Sequence, residues 1–337
     1  MPVSADLVRL AEVPEAIYGE VPATPAFKQV RYTGESLSFA PTTVLSAGMN
    51  PQRSVEDSIL TGGSVTGTIN YELSKEAWYE DFLAGAMCND WTTNALKVGT
   101  VLKSFTVEKT LPVGAGVTDY HRIPGSIVNG FTLSIAPNAI VTGTFDMLGK
   151  SYDTESAAVA GSTYVAPALN PVFTAPLVTD IVIEGVPAVG KCFTSMVLTL
   201  NNNYRALECI GTLGAREMSM GRAEITFAFS LYYADATLLD YLTAQTELDI
   251  SFTLTDSATP ANTYAYALHR VKLTQCNVVA GGTGTDVLAE CVATALLDKT
   301  ANTPLTITRA PGAAVLGVEA AGTESYPATL SREKIAA

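Results

Sequence analysis

The sequence predicts an all-β protein with short flanking helices, and three observations indicate this class. Short runs alternate between apolar and polar or small side chains, which is the period of a strand with one buried face. These runs are rich in Thr, Val and aromatic residues, and Gly, Asn or Pro residues separate them. Only two segments place apolar residues at helical spacing, and each directly follows an alternating run.

The alternating runs are clearest at four places. They cover residues 65–73, 131–135, 225–231 and 252–254. Each is short enough for a single strand and is bounded by residues that favour turns. We therefore expect a sheet-rich core in which one face of each strand is buried.

The two helical segments each start at a good N-cap. The first is predicted to begin at Ser74 and the second near Asp235, because short polar side chains can accept bonds from the first free N–H groups. Large side chains on one helical face are more often core residues than ligands. We assign this core helix packing to Trp78, Phe82, Leu238 and Leu242.

The two halves of the sequence also repeat one order of elements: strand, helix, strand, strand. Residues 63–73 match 221–231 with the alternation in phase, and residues 104–107 match 251–254. This pattern predicts an internal duplication. The register beyond the second match stays open, because His121-Arg122 falls near His269-Arg270 while the following strand permits another alignment.

The repeat divides the chain into five segments. They are an N-terminal arm (1–28), a first domain (29–152), an Ala- and Pro-rich linker (153–178), a second domain (179–300) and a C-terminal arm (301–337). The Pro-rich ends lack the repeated core pattern, which is typical of arms that order against something else or stay loose.

Charge excludes one class of function. Of the 337 residues only 16% are charged, yet the net charge is −13, and the acidic excess is divided between residues 1–152 and residues 153–300. A protein that grips nucleic acid needs clustered Lys and Arg, and no basic run occurs. No apolar stretch is long enough for a membrane helix, and the acidic first thirty residues do not resemble a secretory signal.

Candidate chemistry is sparse. The five cysteines form no Cys-x-x-Cys pair and are predicted to be small core residues rather than disulfide or zinc sites. The two histidines are expected to be structural, and Gly281 to Gly284 is expected to be a hairpin loop. We predict no catalytic, cofactor-binding or metal site, so the chain is not expected to be an enzyme.

One long segment between two predicted strands has a mixed charge. Residues 48–61 include Arg53, Glu56 and Asp57, which could pair with a neighbouring chain. A surface loop without a partner explains the same composition, and the sequence does not decide between the two.

Three stretches carry a family resemblance. Residues 15–25 (EAIYGEVPATP), 30–37 (VRYTGESL) and 62–73 (GGSVTGTINYEL) are followed by the first predicted helix. In this order they resemble the major tail tube proteins of long, flexible-tailed bacteriophages. The resemblance extends over about residues 12–300 and rests on the order of elements more than on any single motif.

The resemblance implies a β-sandwich domain flanked by a helix, whose neighbours join their sheets into a closed inner β-barrel ring. Rings of this family stack into a tube through which DNA passes, and they commonly contain six single domains. With two copies in one chain we expect three chains per ring with pseudo-sixfold symmetry, and a hexamer is the alternative. Acidic groups on the inner wall would repel phosphate and let DNA slide.

The resemblance also implies partners and contact residues. Ring-stacking and inter-subunit contacts are assigned to residues 48–61 and both arms, with the candidates Arg53, Glu56, Asp57, Tyr18 and Arg31. Expected partners are further copies of the chain, a tape measure protein and passing DNA in the lumen, and tail terminator and baseplate proteins at the ends. No membrane partner is expected. Assembly is expected in the cytoplasm of the bacterial host, and the final location in the virion tail.

A β-rich binding or adhesin module of a virion or cell surface is the alternative function, and a β-sandwich hydrolase is a third. The missing signal segment and the scarcity of tryptophan disfavour the first, since Trp78 and Trp91 are the only two. The shortage of grouped acids, bases and nucleophiles disfavours the hydrolase.

Overall fold

The protein is described by a computed structural model that covers residues 3–114, 116–183, 186–187, 191–258 and 261–310. It is mostly β, with two α-helices among the described residues, α1 (Ala77–Ala86) and α2 (Thr237–Ala244). This confirms the predicted content of strands and short helices. Neither helix in the described part of the chain is long and apolar enough to cross a membrane.

The first half contains eleven described strands. They are β1 (Arg9–Pro14), β2 (Ala26–Gln29), β3 (Gly34–Glu35), β4 (Ser38–Leu45), β5 (Ser58–Glu72), β6 (Ala95–Lys97), β7 (Phe105–Gly114), β8 (Val117–Ile135), β9 (Thr142–Gly149), β10 (Asp153–Glu155) and β11 (Thr163–Val165).

The second half contains ten described strands. They are β12 (Val178–Ile183), β13 (Val186–Pro187), β14 (Phe193–Asn201), β15 (Arg205–Glu208), β16 (Ala215–Ser219), β17 (Glu224–Tyr232), β18 (Leu248–Thr255), β19 (Thr263–Ala280), β20 (Val287–Ala295) and β21 (Leu305–Arg309).

One layer of the molecule is a long antiparallel sheet with the strand order β4-β5-β9-β8-β14-β17-β20-β19. Strand β3 continues β4 at this edge, because it pairs with β5 in the same register. The second layer consists of β11-β2-β1-β7-β8-β10 in the first half and β13-β12-β18-β19-β21 in the second. Strand β6 of the first half pairs with β21 at the edge of the second group. Within the part of the chain that the structure describes, the long sheet does not close into a barrel.

Two very long strands, β8 and β19, pass from one layer to the other. Each skips residues at two places in its ladders, first beside a residue with left-handed backbone, Gly125 (φ 65) or Arg270 (φ 48). The second skip leaves Asn129 unpaired in β8 and Thr274 unpaired in β19. The ladder of β7 and β8 also shifts near the start of β8, between Pro112 and Gly114 of β7. Bulges of this kind bend a strand, which lets one strand serve both layers.

The two helices lie against these sheets but differ in coverage. Trp78, Phe82 and five further residues of α1 are buried, whereas Leu238 is the buried residue of α2 and Leu242 is half-buried. The aromatic rings of α1 pack edge-on against Tyr71 and Phe145. One continuous hydrophobic core joins both halves of the chain.

The predicted N-cap of α1, Ser74, is wrong by two residues, because the N-cap is Glu76. Ser74 is buried and forms an isolated bridge with Val172, and Glu76 still has extended backbone (φ −131, ψ 150). The helix therefore begins at Ala77. Asp235 matches its prediction better, because its Oδ1 accepts a hydrogen bond from the Thr237 N–H at 3.0 Å, although α2 begins at Thr237.

The interpretation of residues 1–28 as an arm does not hold for the strands within it. Strand β1 pairs with both β2 and β7, and Leu10, Ala11 and Val13 are buried. Strand β21 likewise belongs to the second layer, so folded structure continues past residue 300. The remainder of the predicted C-terminal arm, 311–337, lies outside the described residues. The predicted linker, 153–178, contains β10 and β11.

The cysteines also differ from the prediction. Cys276 and Cys291 lie opposite each other on β19 and β20 and form a disulfide, with 4.0 Å between their Cα atoms. Cys88 is a buried free thiol as predicted, but Cys192 and Cys209 are exposed. The two cysteines are 15 residues apart in sequence, and they lie opposite each other because of the register of β19 and β20, which cysteine spacing alone does not give.

Candidate assembly surfaces

The long sheet has two free edges, one in each half. Among the described residues, strand β4 pairs only with β5, and all eight of its residues are exposed. At the opposite end, β20 is the one described strand that pairs with residues 275–280 of β19, and five of these six residues are exposed. Unpaired main-chain N–H and C=O groups of this kind form a template for a further strand.

The two halves already meet through one such contact, which we call the internal seam. Residues 130–135 of β8 pair antiparallel with residues 196–201 of β14. Leu133 lies opposite Leu198, and both side chains are buried. The internal seam shows how an edge of the first half accepts an edge of the second.

At the free edge near β4, side chains of the same chain bind the main-chain N–H and C=O groups of one residue, Leu37. The Leu37 N–H donates to Oε2 of Glu35 at 2.9 Å, and the Leu37 carbonyl accepts from Nζ of Lys109 at 2.6 Å. Glu35 and Lys109 also form a salt bridge at 2.7 Å, and Lys109 is buried. Side chains thus hold both main-chain groups that a neighbouring strand would need.

Two hairpins project from the same region of the long sheet. The first is the outer part of β4 and β5 with the loop 46–57, and the second is β15 and β16. Both expose large apolar side chains, among them Met49 and Ile210, which are fully exposed. Hairpins with apolar residues in water are marginal alone and indicate contact surfaces.

The first hairpin contains the three charged candidates from the sequence. Arg53 has left-handed backbone (φ 57), and all three side chains are exposed. Asp57 accepts a hydrogen bond from the adjacent Ser58 N–H at 2.7 Å. None of the three takes part in the ion pairs found among the described residues, so their charges stay available to a neighbour.

Tyr18 and Arg31 are held within their own chain. The Tyr18 ring lies 5.3 Å from Nζ of Lys150, and burial together with the Glu15 charge raises the pKa of Tyr18 to about 12. Arg31 donates from Nη1 to the Asn170 carbonyl at 3.1 Å and so fastens the segment before β12. Both side chains are half-buried, which leaves limited area for an inter-chain contact.

The open face of the long sheet is mostly uncharged. Thr, Ser, Asn, Ala and Val residues dominate its outward positions on the described strands. It carries four carboxylates and one ammonium group, from Glu72, Asp146, Glu224, Glu290 and Lys272. Burial raises the pKa of Asp146. The face is therefore mildly acidic, and most of the net charge of −13 lies elsewhere.

A charge cluster with one buried member, Glu12, fastens α1 to the second layer. Lys28 on β2 pairs with Asp81 of α1 and lies 4.0 Å from Glu12 on β1. Both carboxylate oxygens of Glu12 are buried, and neither meets the geometry of a hydrogen bond to any described residue. Burial and the nearby Asp81 charge raise the pKa of Glu12 well above its ordinary value, against the opposing effect of Lys28.

The histidines occupy unrelated environments. Nδ1 of His121 lies 2.7 Å from the Tyr152 hydroxyl, and Nε2 of His269 lies 2.9 Å from Oγ1 of Thr306. The described residues contain no group of three His, Cys, Asp or Glu side chains arranged to hold a metal ion.

Sequence reasoning missed the Glu35–Lys109 pair and the second hairpin. The pair is 74 residues apart in sequence and has no local spacing signal. The second hairpin had one signal, since the apolar residues Ile210 and Leu213 are each followed by a glycine.

Comparison with known proteins gives a family match. A family model described as phage tail tube protein matches residues 5–327. The search of curated proteins found no match. The family match spans both halves of the long sheet, both projecting hairpins and both free edges, and it confirms the resemblance seen in the sequence.

Proposed function

We propose that this chain, which belongs to the phage tail tube protein family, polymerises as stacked rings that form a conduit for DNA delivery. Its family makes it a structural component of the virion tail that self-assembles into a tube. The observation that carries this proposal is the long sheet, which ends in two free strand edges in one chain. An open sheet with two unpaired edges is stabilised when copies pair edge to edge until the sheet closes.

The internal duplication is supported by positions that recur at fixed separations. The order β4-β5-β9-β8 of the long sheet recurs as β14-β17-β20-β19. Gly125 and Arg270 are 145 residues apart, and so are the unpaired Asn129 and Thr274. The helices begin 160 residues apart. Two tandem tube domains account for these coincidences.

Three chains per ring follow from this duplication. Each chain contributes two similar four-stranded blocks, so three chains give a pseudo-sixfold inner barrel, and six chains would require a barrel of twice the circumference. The internal seam already joins two blocks with normal antiparallel pairing. A ring of three chains would repeat this seam at every block boundary.

The projecting hairpins are the proposed ring-stacking elements. Their exposed apolar side chains would become buried against the neighbouring ring, and burial of apolar area stabilises association. Arg53, Glu56 and Asp57 lie on the first hairpin and would add ionic contacts at its rim. Tyr18 and Arg31 would act more indirectly, by fixing the segments around β1 and β12.

We assign the open face of the long sheet to the lumen. Its hydroxyl-rich surface with a small excess of carboxylates offers DNA few cations to bind. The acidic lining expected from the sequence is thereby reduced to a few groups per chain. A tape measure protein and DNA would occupy this space in turn, with terminator and baseplate proteins at the ends, after assembly in the host cytoplasm. We propose no catalytic role.

Electron microscopy of the purified chain tests the proposal. We expect stacked rings or hollow tubes whose inner wall is formed by the long sheet. Linear DNA should pass over the assembled protein without retention at physiological salt. A chain that stays monomeric under all nucleating conditions, or that retains DNA with strong salt dependence, would contradict the proposed function.

A further inference from the structure

The internal seam defines what a second copy of the chain would meet at the free edges. The recurring irregularities place β8 residues 145 positions before their β19 counterparts. The ladders on both sides of β5 and β17 then give a separation of 161 residues for the next strand. Residues 35–40 therefore correspond to residues 196–201. Each residue pair of the internal seam therefore has a counterpart pair on the two free edges.

From this correspondence, and resting on the ring assembly proposed above, we propose a specific contact between copies. Residues 275–280 of one chain pair antiparallel with residues 35–40 of the next, with Val278 opposite Leu37 and Asn277 opposite Ser38. Glu35 and Lys109 occupy the main-chain groups of Leu37 until that strand arrives. We call this contact the external seam.

The direction of the main-chain groups supports this register independently. Ser36 donates its N–H to Thr68 on β5, so the groups of Leu37 and Phe39 point to the free edge. Cys276 and Cys291 have Cα atoms 4.0 Å apart, the spacing of a pair without mutual hydrogen bonds, so the groups of Cys276 and Val278 also point outward. The proposed register places these outward-pointing residues opposite each other, and a one-residue slip would not.

The side chains fit the same arrangement. Val278 and Phe39 are exposed in the single chain, whereas the corresponding Leu133 and Leu200 of the internal seam are buried. Pro41 follows the last paired residue and has no N–H to offer, so the external seam lacks a counterpart of the bond from the Asn202 N–H to the Asn129 carbonyl, 2.7 Å long, that follows the internal seam.

Leu37 explains how the edge stays unpaired in a free chain. Its counterpart Leu198 lies in the internal seam opposite Leu133, while Leu37 is bonded to Glu35 and Lys109. Charged side chains are a common protection of strand edges. The incoming strand must replace both bonds, so the pair raises the barrier to premature association.

Cross-linking tests the register. Ser38→Cys with Asn277→Cys places two thiols on the open face at a pair without mutual hydrogen bonds, in a Cys192→Ser, Cys209→Ser background. The matched control is Thr132→Cys with Thr199→Cys, the corresponding pair of the internal seam, which should form a disulfide within each chain. A slipped control combines Ser38→Cys with Gln275→Cys. In assembled tubes we expect the Ser38/Asn277 variant to link chains covalently, and the slipped variant to do so several-fold less.

The outcomes separate the two proposals. Tubes that form while the slipped variant links better than the Ser38/Asn277 variant would overturn the external seam and leave the proposed function standing. If the unsubstituted chain forms no rings or tubes, the proposed function fails, and the external seam fails with it.

Assembly kinetics test the role of Glu35 and Lys109. Lys109→Met leaves the Leu37 carbonyl without its donor, and we expect a lag before tube growth several-fold shorter than that of the natural chain. Lys97→Met is the matched control, since Nζ of Lys97 also donates to a carbonyl, that of Ala301, away from both edges. Cross-linking of Ser38/Asn277 in the Lys109→Met chain separates ordered growth from aggregation. An unchanged lag, or disordered aggregates without the cross-link, would contradict the protective role.

Discussion

Helices α1 and α2 occupy corresponding places in the two halves, yet only α1 is covered on both sides. Its Tyr79 hydroxyl lies 3.2 Å from that of Tyr266, and its Glu80 pairs with Arg309, both contributed by the second half. In the single chain α2 has no third block to cover it, and Leu239 and Leu242 are only partly buried. The difference shows that a helix is more deeply buried where another half lies beside it.

The same contrast holds for the strands. The edge of the first half at β8 is closed by β14, and the corresponding edge at β19 is open. The second half thus resembles the first with its neighbour removed. If rings close as proposed, ring formation gives the second half the environment that the first already has.

The largest expected effect comes from a substitution that prevents strand pairing at the free edge of β19. Val278→Pro removes an outward-pointing N–H without removing a bond to β20, so the chain should fold normally while ring and tube formation is abolished. Val278→Thr keeps the N–H and should assemble. Microscopy and light scattering provide the measurement, and tubes formed by the proline variant would show that β19 is not a docking edge.

The unequal coverage of the helices predicts unequal stability effects. Phe82→Ala should lower the free energy of unfolding by about 3–5 kcal/mol, because it empties a fully buried site. Leu242→Ala, 160 residues later, should cost only about 1 kcal/mol in the unassembled chain, because its side chain is half-buried. Denaturant unfolding measures both. Equal losses would indicate that α2 is already as covered as α1.

The buried Glu12 predicts a pH dependence confined to the first half. Its raised pKa means that the folded chain binds a proton more tightly than the unfolded chain does. Its contribution to stability is therefore full below the ordinary glutamate pKa. That contribution is lost as pH rises towards the pKa of the folded chain, by about 1.4 kcal/mol for each pH unit in this interval. Glu12→Gln should remove this loss, so the free energy of unfolding of the variant should rise relative to that of the natural chain as pH increases.

Unfolding of both chains across the acidic to neutral range measures this effect. Glu20→Gln, at an exposed position, is the control and should follow the natural chain. If Glu12→Gln also follows the natural chain at every pH, burial does not penalise the Glu12 carboxylate in the charge cluster at α1.

The smallest effect on the folded chain is expected at the hairpin tips. Met49→Ser and Ile210→Ser change fully exposed side chains and should alter unfolding free energy by less than about 0.5 kcal/mol. Tube length should nevertheless decrease, because ring stacking loses apolar contacts. Leu7→Ser, another exposed site outside the hairpins, is the control for a general effect of polarity. Tubes of unchanged length would remove the hairpins from the stacking contact.

Periodicity predicted the kind of element well and its register poorly. The sequence match of 63–73 with 221–231 is displaced by two residues from the separation of 160 indicated by the ladders and the helix starts. A shift by two preserves which face is buried, so alternation alone cannot detect it. The His121 and His269 match has a separation of 148 residues, three more than the separation of 145 shared by the irregularities of β8 and β19.

The assembly surfaces were predictable only in part. The first hairpin was evident as a long mixed-charge segment, and the apolar face of α1 as helical spacing of Trp78 and Phe82. The free edges were not, because a strand pattern does not state which neighbours the strand has. The protection of Leu37 by Lys109 depends on a contact between distant strands that no local pattern encodes.

Everything proposed for assembly depends on one chain contributing two joined blocks to a closed ring. Native mass spectrometry can measure the mass of the smallest stable ring and so count its chains. We expect three chains, or three times the 35.4 kDa of one chain. A stable ring of six chains, or only open oligomers of variable size, would contradict the two-block ring.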